Sequence, residues 1–360
     1  MRHFARLAAV AVVVALVTGA AAPAAAQLPR LKVGFCTRTI NAAVAPFAVA
    51  IRMGWYKLEG YEVEVVPLPG STDCVKFVVT REMDFSLPSV EPLAIGRPQG
   101  VRAKVYYTAY QGNGYGLAVA DDSPIKKIAE LKGKTIGVVS MASAGVIIAR
   151  ALAATNGLDP DRDISIVVAG DGAQTAAMVR SRQVDALSQF DTQYALVENA
   201  GVKMRWLDNE AIERFPGNGF LALESSLTSR RKEAVALARG YAKGTAFTLA
   251  NPEAAVRILY EVFPSTRPTG KDEPTAVRDD VKVILSRAPK WELLPKWGAK
   301  RWGESVEPNY ASYVDFMLKW GINKEKVDVK DLVTNELIDE INRFDPARIA
   351  AEAKAWRPGK

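Results

Sequence analysis

The hydrophobic and polar positions of residues 131–160 predict one strand, one loop and one helix. Residues 135–139 are a short apolar run rich in β-branched side chains, and the small residues 140–143 suit a tight turn. Apolar residues recur at helical spacing over residues 146–154, and Asn156-Gly157 is typical of a helix end. The stretch therefore predicts one strand–helix unit of an α/β sheet.

The loop of this unit leads from the strand into the N-terminus of the helix. A helix N-terminus leaves backbone N–H groups unpaired, and these groups attract a polar or anionic part of a ligand. Ordinary buried turns between a strand and a helix have the same pattern. A ligand contact and a plain structural turn therefore both stay open.

Apolar runs separated by polar turns continue on both sides of this unit. Before it, the pattern predicts strands at residues 31–35, 61–66 and 83–87, a helix at residues 44–56, and a loop at residues 70–73 that opens a helix ending at residue 81. After it, the pattern predicts strands at residues 164–168 and 184–188 and helices at residues 233–249, 252–263 and 310–320. The alternation of strands and helices is typical of the α/β class.

Two segments about a hundred residues apart resemble each other. Residues 80–86, TREMDFS, match residues 181–187, SRQVDAL, and residues 32–35, KVGF, match residues 135–138, TIGV. A spacing of this size corresponds to a lobe and not to a solenoid repeat. We therefore predict two similar α/β lobes.

Glycines cluster at two places between the predicted lobes. Gly112, Gly114 and Gly116 form the first cluster, and Gly217 and Gly219 form the second. Glycine tolerates large changes of φ and ψ, which a hinge between closing lobes requires. Two surface turns would have the same composition, but the internal repeat favours the hinge.

The first 26 residues have the pattern of a cleaved secretory signal. Arg2 and Arg6 precede an apolar run at residues 7–17, and small residues at 24–26 follow it. The first cysteine, Cys36, lies too far from this run for lipoprotein acylation. We therefore expect a soluble periplasmic protein without a lipid anchor.

Charge and histidine content exclude several function classes. The signal removes two of the 47 basic residues and none of the 40 acidic ones, so the mature charge is 45 − 40 = +5. A basic segment with tryptophans at residues 290–302 has the composition of a nucleic-acid site, but export favours a solvated helical surface. His3, the one histidine, leaves with the signal, which excludes histidine triads, bases and metal sites. We expect no enzyme activity, cofactor, metal or nucleic-acid partner.

Cys36 and Cys74 are the two cysteines of the chain. Both follow predicted strands of the first lobe, and the oxidising periplasm permits a bridge between them. A disulfide bond and two buried free thiols are both compatible with this pattern. If it forms, the bond would stabilise the fold by roughly 4 kcal/mol in the chain-entropy model.

Residues 128–138, IAELKGKTIGV, followed by the GLDP of residues 157–160, resemble the hallmark of solute-binding proteins of ABC importers. The pattern is most similar to the binding proteins for sulfonates, nitrate, taurine and thiamine-pyrimidine precursors. The resemblance extends over residues 31–344 and includes MGWYKLEG at residues 53–60, where such proteins end a helix.

This resemblance implies the type II periplasmic binding protein fold, with two lobes, each a sheet flanked by helices, two hinge crossings and a helical C-terminal region. We expect lobe one at residues 27–112 and 220–360 and lobe two at residues 113–219. The resemblance also implies a monomer that captures a small molecule and delivers it to an inner-membrane permease with its ATPase. A periplasmic sensor is the alternative, while an enzyme of pyrimidine synthesis would need histidines.

Loops that directly follow strands are the candidate ligand site, because ligands of open α/β sheets lie beyond the carboxyl ends of the strands. The resemblance places the contact loops of the family on such segments. The candidate ligand residues are Thr37, Arg38, Thr39, Asn41, Ser71, Thr72, Asp73, Ser89, Glu91, Tyr110, Asn113, Ser140, Ser143, Asp171, Gln174, Phe190, Asp191, Tyr194 and Asn218. Each of them also has a plain interpretation as a cap or turn residue.

Acidic residues outnumber basic ones in these loops: Asp73, Glu91, Asp171 and Asp191 stand against Arg38. Charges in a desolvated cleft act more strongly than charges on a wet surface, which salt screens within about 10 Å. We therefore predict a ligand with N–H donors or a positive group, with Asp191 as its acidic partner and Phe190 or Tyr194 packed on a planar ring. A small anion such as a sulfonate, nitrate or carboxylate is the alternative.

Overall fold

The computed structural model describes residues 27–359, so the predicted signal at residues 1–26 lies outside the described residues. The strands are β1 (Arg30–Phe35), β2 (Glu62–Pro67), β3 (Phe85–Ser86), β4 (Ala103–Thr108), β5 (Tyr115–Ala120), β6 (Lys134–Val138), β7 (Ile164–Val168), β8 (Ala186–Phe190), β9 (Met204–Trp206) and β10 (Gly219–Leu223). The helices are α1 (Ala45–Arg52), α2 (Trp55–Leu58), α3 (Ser71–Val79), α4 (Glu91–Gly96), α5 (Ala144–Thr155), α6 (Gly172–Arg180), α7 (Asp191–Asn199), α8 (Glu210–Glu213), α9 (Glu224–Ser229), α10 (Arg231–Ala250), α11 (Pro252–Val262), α12 (Glu273–Trp291), α13 (Glu307–Lys319), α14 (Ile338–Ile341) and α15 (Pro346–Ala355). Within residues 27–359, none of these helices combines the length and apolar character needed to cross a bilayer.

The strands form two sheets with the same strand order. The order is β2-β1-β3-β10-β4 in the first sheet and β7-β6-β8-β5-β9 in the second. The first three strands of each sheet are parallel, and the fourth runs antiparallel to its neighbours. The predicted α/β class, with two sheets flanked by helices and a helical C-terminal region, is confirmed, and the equal order of the sheets accounts for the internal repeat.

The chain crosses between the two sheets twice, from β4 to β5 and from β9 to β10. Strand β10 follows the whole second sheet in sequence but pairs with β3 and β4 of the first. We use lobe one for the first sheet with the elements packed on it, and lobe two for the second sheet with its helices. The residue boundaries of the two lobes stay a prediction.

The strand–helix unit predicted at residues 131–160 forms β6 and α5. Ser143 caps α5, since its Oγ accepts a hydrogen bond from the backbone N–H of Gly145 at 3.2 Å. Gly145 has no room for a side chain, because a Cβ would lie 2.2 Å from the carbonyl oxygen of Ser188. Gly157 adopts a φ of +78° just beyond the helix, as the Asn-Gly pair predicts.

Both lobes have the same turn before their third strand. Arg81 and Arg182 adopt left-handed φ values of 63° and 55° in these turns. Asp84 then accepts a hydrogen bond from a backbone N–H of β1 at 2.8 Å, and Asp185 accepts one from β6 at 2.9 Å. The repeated sequence motif therefore encodes a repeated structural turn and not a ligand contact.

One predicted helix needs correction, and one long helix was not predicted. The helix predicted at residues 44–56 is divided into α1 and α2, because Gly54 adopts a φ of +70° between them. The three predicted C-terminal helices are confirmed as α10, α11 and α13. The hydrophobic pattern did not predict α12, a 19-residue helix that contacts α7 of lobe two as well as α11 of lobe one.

The basic segment at residues 290–302 is not a solvated helical surface, so that interpretation is wrong. The segment begins with the last two residues of α12 and continues through a single 3-10 turn at Pro295–Trp297. Trp291 and Trp297 are only 1% and 2% exposed. Trp297 packs directly against Gly112 of the first crossing, so the segment is part of the core there.

The glycines of the two crossings serve close packing. Positive φ values are absent from Gly112, Gly114, Gly116, Gly217 and Gly219. A Cβ at Gly112 would lie 2.3 Å from the ring of Trp297, and a Cβ at Gly219 would lie 2.4 Å from Val105. Their conformational freedom is therefore not what the fold uses here, and the hinge movement itself stays a prediction.

Cys36 and Cys74 form a disulfide bond in the structure, with their Cα atoms 5.9 Å apart. Cys36 directly follows β1, and Cys74 lies in α3. Both are buried, with exposed fractions of 6% and 0%. The bond ties the carboxyl end of β1 to α3 beside the candidate loops of lobe one.

Candidate functional site

A small cavity lies between the two lobes, at the carboxyl ends of β1 and β8. Its volume is about 20 Å³, enough for about one water molecule. The aromatic residues Phe35, Tyr110, Tyr115 and Phe190 and the polar residues Thr37, Thr192, Asn218 and Arg287 line it. A larger hollow of about 760 Å³ lies along the far edge of lobe two, but no residue of lobe one borders it. A hollow of about 420 Å³ adjoins the cavity at Tyr115 and is bordered by residues of both lobes, but it does not lie at the carboxyl ends of β1 and β8. Because ligands of open α/β sheets bind at those ends, we take the small interlobe cavity as the candidate site.

Aromatic rings form much of the wall of this cavity. Tyr115 and Phe190 meet edge to face with their ring centroids 5.2 Å apart. The guanidinium of Arg287 lies 4.0 Å from the centroid of the Tyr110 ring and 5.9 Å from that of Phe190. Rings and a planar cation in this arrangement favour a flat, aromatic ligand.

A buried ion pair joins the two lobes beside the cavity. Arg287 of α12 donates from Nε to both carboxylate oxygens of Asp191 at 2.8 and 2.9 Å, and its Nη2 donates to Oδ1. The side chains of the pair are 4% and 3% exposed. Lys290 Nζ lies 3.5 Å from the same carboxylate. Burial lowers the pKa of Arg287, but the Asp191 carboxylate outweighs it, so the pKa is raised and the guanidinium stays charged.

This pair corrects the charge argument for the ligand. Asp191 begins α7, but both of its oxygens already accept bonds from Arg287, and Oδ1 also accepts one from Thr192 N at 2.7 Å. Asp191 is therefore not a free carboxylate waiting for a cationic ligand. Arg287, remote in sequence, supplies the counter-charge of Asp191 in this structure, and the role of Asp191 as acidic partner of the ligand stays a prediction.

Tyr194, predicted to pack on a planar ring of the ligand, makes structural contacts within lobe two. Its hydroxyl donates to the carbonyl oxygens of Gly116 and Leu187 at 2.7 and 2.9 Å and accepts from Gln189 N at 2.9 Å. Its ring is 3% exposed and meets Trp206 edge to face. Tyr194 thus fastens β8 to β5 within lobe two.

Direct hydrogen bonds hold the two lobes together at the cleft. Thr39 Oγ1 of lobe one donates to Asp171 of lobe two at 2.8 Å. Ser140 Oγ of lobe two donates to the carbonyl oxygen of Pro69 at 2.7 Å. The lobes are therefore closed on each other, and the entry of a molecule larger than water requires them to separate.

A cluster of hydroxyl groups lies beside the cavity, where α3, α5 and β5 meet. Ser71 Oγ accepts bonds from Ser89 N and Oγ at 3.1 and 3.0 Å. The Tyr115 hydroxyl interacts with Ser143 of lobe two and Ser71 of lobe one. Burial raises the pKa of Tyr115, so its phenol stays neutral and bridges the lobes as a hydrogen-bonding group.

Glu91 adjoins this cluster and is 1% exposed. Its Oε1 accepts a hydrogen bond from the Tyr313 hydroxyl of α13, while Oε2 has no partner among the described residues. Burial raises the pKa of Glu91, and the weaker effects of Ser89 and Tyr313 lower it only in part. Glu91 therefore holds its proton to a higher pH than an exposed glutamate.

The predicted site residues fall into three groups in the structure. Those that line the cavity are Thr37, Tyr110, Phe190 and Asn218. Those that lie in the contact between the lobes or in the adjoining polar cluster are Thr39, Ser71, Thr72, Ser89, Glu91, Ser140, Ser143, Asp171 and Asp191. Those that neither line the cavity nor join this contact are Arg38, Asn41, Asp73, Asn113, Gln174 and Tyr194.

Six residues of the cavity wall are absent from the predicted ligand residues: Phe35, Cys36, Ala43, Tyr115, Thr192 and Arg287. Phe35 and Tyr115 have the pattern of core residues. Thr192 lies between the candidates Asp191 and Tyr194 but is neither charged nor aromatic. Arg287 is separated from Asp191 by 96 positions and lies in a helix that the pattern did not predict. The acidic residue Asp191 at a buried strand end is itself the signal that a buried basic residue lies opposite it, because a buried charge needs a partner.

The raised pKa of Glu91 predicts how stability depends on pH. A carboxyl group with a higher pKa in the folded state contributes stability that is complete below its unfolded value of 4.5 and lost as pH rises through the folded value. We expect Glu91→Gln, which keeps the acceptor for Tyr313, to match the wild type at pH 4 and to exceed it in free energy of unfolding at pH 8. Urea unfolding at both pH values measures the difference.

Glu304→Gln is the control with the opposite sign. Burial raises the pKa of Glu304, but bonds from the backbone of Lys300 and from Arg301 outweigh it and the pKa is lowered. Its stability is therefore present at neutral pH, and the variant should be less stable there. If Glu91→Gln and the wild type have the same free energy of unfolding at pH 8, the raised pKa of the buried glutamate is contradicted.

Comparison with known proteins agrees with this two-lobed architecture. Residues 41–255 match the family model described as NMT1/THI5 like. The chain is 25% identical over 333 residues to the riboflavin-binding protein RibY of Chloroflexus aurantiacus. The match covers 89% of this chain and 91% of that protein.

Solved structures show the same fold at lower identity. The alkanesulfonate-binding protein SsuA from Xanthomonas axonopodis pv. citri, bound to MOPS, is 16% identical with a TM-score of 0.63 over 86% of this chain and 99% of that chain. The periplasmic nitrate-binding protein NrtA from Synechocystis PCC 6803 is 17% identical with a TM-score of 0.61 over 92% and 99%. The predicted periplasmic binding protein fold and the resemblance to this class of binding proteins are confirmed.

Proposed function

The chain belongs to the NMT1/THI5-like family, and on that premise we propose that it is the extracytoplasmic binding component of an ABC importer for a planar nitrogen heterocycle of the flavin type. The observation that carries this proposal is the aromatic cavity between the two lobes. Closing two lobes on a flat ring system buries both of its faces, which is the strongest way to hold such a molecule.

The shape of the cavity wall supports a ring system over a small inorganic ion. Phe35, Tyr110, Tyr115 and Phe190 supply apolar contact area, which a nitrate or a short sulfonate does not use. The cations of the site, Arg287 and Lys290, already face Asp191. An anion would have to compete with that carboxylate, whereas a neutral heterocycle would not.

The relatives support both the class and the ligand. RibY is named for riboflavin, a planar nitrogen heterocycle, and its similarity extends over 89% of this chain. SsuA and NrtA are binding proteins for an alkanesulfonate and for nitrate, so the fold alone does not select a ligand. The amines favoured by the acidic loops lose their support, because Asp191 is paired.

The proposal includes the setting of the protein. The signal pattern at residues 1–26 supports export to the periplasm. There a monomer would take up its ligand, close, and deliver it to an inner-membrane permease with its ATPase, without changing the ligand chemically. A sensor would use the same closure to report the ligand to a membrane receptor.

Riboflavin titration tests this proposal. Because flavin fluorescence is quenched on stacking with aromatic side chains, we expect saturable quenching at one site per chain. At a hundredfold excess over the dissociation constant, binding should raise the free energy of unfolding by about 2.7 kcal/mol. Small-angle scattering should show the lobes of the open form closing, and chromatography should return riboflavin unchanged.

A matched pair of variants locates the binding site. Phe190→Leu removes a ring from the cavity wall and should weaken riboflavin binding by about tenfold. Trp320→Leu removes a partly buried ring at the end of α13 that does not line the cavity, and it should leave binding unchanged. Tight binding of taurine or nitrate with none of riboflavin would overturn the proposed ligand in favour of a small anion.

A further inference from the structure

We infer that the cavity recognises the cyclic imide edge of its ligand, –CO–NH–CO–, with Asn218 accepting the imide N–H and Thr192 and Arg287 facing the carbonyl oxygens. This inference rests on the proposed function, because it names the part of a flavin ring that the aromatic cavity would contact. The three residues come from different elements: the second crossing, α7 of lobe two, and α12.

Asn218 is held in one orientation by bonds to lobe one. Its Nδ2 donates to the carbonyl oxygen of Leu87 at 2.7 Å, which fixes the amide with nitrogen on that side. The backbone carbonyl oxygen of Asn218 accepts hydrogen bonds from the backbone N–H groups of Ala109 and Tyr110, both at 3.0 Å. The residue is thus well held. No hydrogen bond to its side-chain Oδ1 is formed within residues 27–359, so this oxygen remains available as an acceptor in a residue that lines the cavity.

Thr192 supplies a hydroxyl group that lacks a partner. Its Oγ1 forms no hydrogen bond among the described residues, and the side chain is 0% exposed. The backbone N–H of Thr192 is bonded to Asp191, so the residue itself is well held. A buried hydroxyl without a partner is rare, and its position on the cavity wall indicates that a ligand atom completes it.

Arg287 adds a positive group on the same wall. Its Nε and Nη2 are bonded to Asp191, and its plane lies over the Tyr110 ring at 4.0 Å. Its position is therefore fixed before a ligand arrives. A carbonyl oxygen is an uncharged acceptor, and a hydrogen bond from a charged guanidinium to it is stronger than one from a neutral donor.

The cavity thus presents one fixed acceptor and two donor groups to a flat molecule. An imide edge has the complementary set, with one N–H donor and two carbonyl acceptors. A sulfonate offers only acceptors, so it would leave Asn218 Oδ1 against an oxygen atom. Because Asn218 and Thr192 belong to different lobes, an imide bonded to both would hold the lobes together around the ligand, in a form less tightly closed than this one, whose cavity has room for about one water molecule.

Comparison of lumiflavin with 3-methyllumiflavin tests the inference. The two probes share the same rings, but the methyl group replaces the imide N–H. We expect the wild-type protein to bind lumiflavin about 10 to 100 times more tightly, because the methylated probe leaves a buried acceptor unpaired. In Asn218→Ala, lumiflavin should weaken to the level of the methylated probe, and the ratio of their affinities should approach one.

Two further measurements make the outcome decisive. Thr192→Val should weaken both probes by a similar factor and keep their ratio, since it removes only a carbonyl contact. Circular dichroism checks that the variants fold, and the wild-type ratio needs no variant at all. Equal, tight binding of both probes overturns the imide inference and leaves the proposed function standing, whereas failure of both to bind overturns the proposed function. A large ratio that persists in Asn218→Ala overturns the role of Asn218.

Discussion

Asparagine in place of Asp191 is expected to lower the free energy of unfolding by about 3 to 5 kcal/mol, the usual cost of removing one partner from a buried ion pair. Asp191 and Arg287 are 3% and 4% exposed, so neither charge can turn to water instead. The loss of Asp191 also leaves Lys290, 3.5 Å away, without its counter-ion. Two cations then share a site in which no described carboxylate replaces the missing one.

Removing the arginine of this pair should lower the free energy of unfolding by less than removing the aspartate does. In Arg287→Met the carboxylate of Asp191 keeps Lys290 and the backbone N–H of Thr192 as partners. Replacing both charges, with Asp191→Leu and Arg287→Met together, should recover most of the loss, because an apolar pair of similar volume often replaces a buried ion pair without penalty. The order of stability is therefore wild type, double variant, Arg287→Met and then Asp191→Asn.

Urea unfolding of the four proteins measures this order, and a surface pair provides the control. Glu213 and Lys296 lie 3.0 Å apart, with side chains 56% and 48% exposed. Their neutralisation should change the free energy of unfolding by less than about 1 kcal/mol. If Asp191→Asn costs no more than this control, the interlobe ion pair does not stabilise the protein.

The pairing of strands and helices along the chain made the fold predictable. Alternating runs around residues 131–160, together with the internal repeat, led to two similar α/β lobes, and the two sheets have the same order. These features are local, so sequence periodicity reports them directly. Helix α12 was not predicted, because Pro289 near its end and its many charged residues obscure the helical pattern. Its buried face nevertheless includes Val277, Val283 and Ile284.

The site was predictable only as far as strand ends define it. Tyr110, Phe190 and Asn218 stand at such ends and line the cavity. Charge balance was not predictable, because it depends on which residues meet across the lobes. The acidic character of the loops depended on Asp191 and Glu91, yet Arg287 neutralises the first and burial favours the protonated form of the second. Counting charges within loops omits both effects.

The Cys36–Cys74 bond provides the last and equally large expected effect. The two cysteines are 38 positions apart. Closing a loop of this length removes roughly 4 kcal/mol of chain entropy from the unfolded state. Reduction, or the change of both cysteines to alanine, should therefore lower the free energy of unfolding by about that amount and the melting temperature by several degrees.

Thiol titration and thermal unfolding together test this bond. Protein produced in the periplasm and denatured without reductant should have no free thiol, and reductant should then lower its melting temperature. The double alanine variant is the control, because reductant should leave its melting temperature unchanged. Cys36 borders the interlobe cavity, so loss of the bond should also loosen the end of β1 and weaken riboflavin binding. Two free thiols in the oxidised protein, or the same melting temperature with and without reductant, would show that the bond does not stabilise the fold.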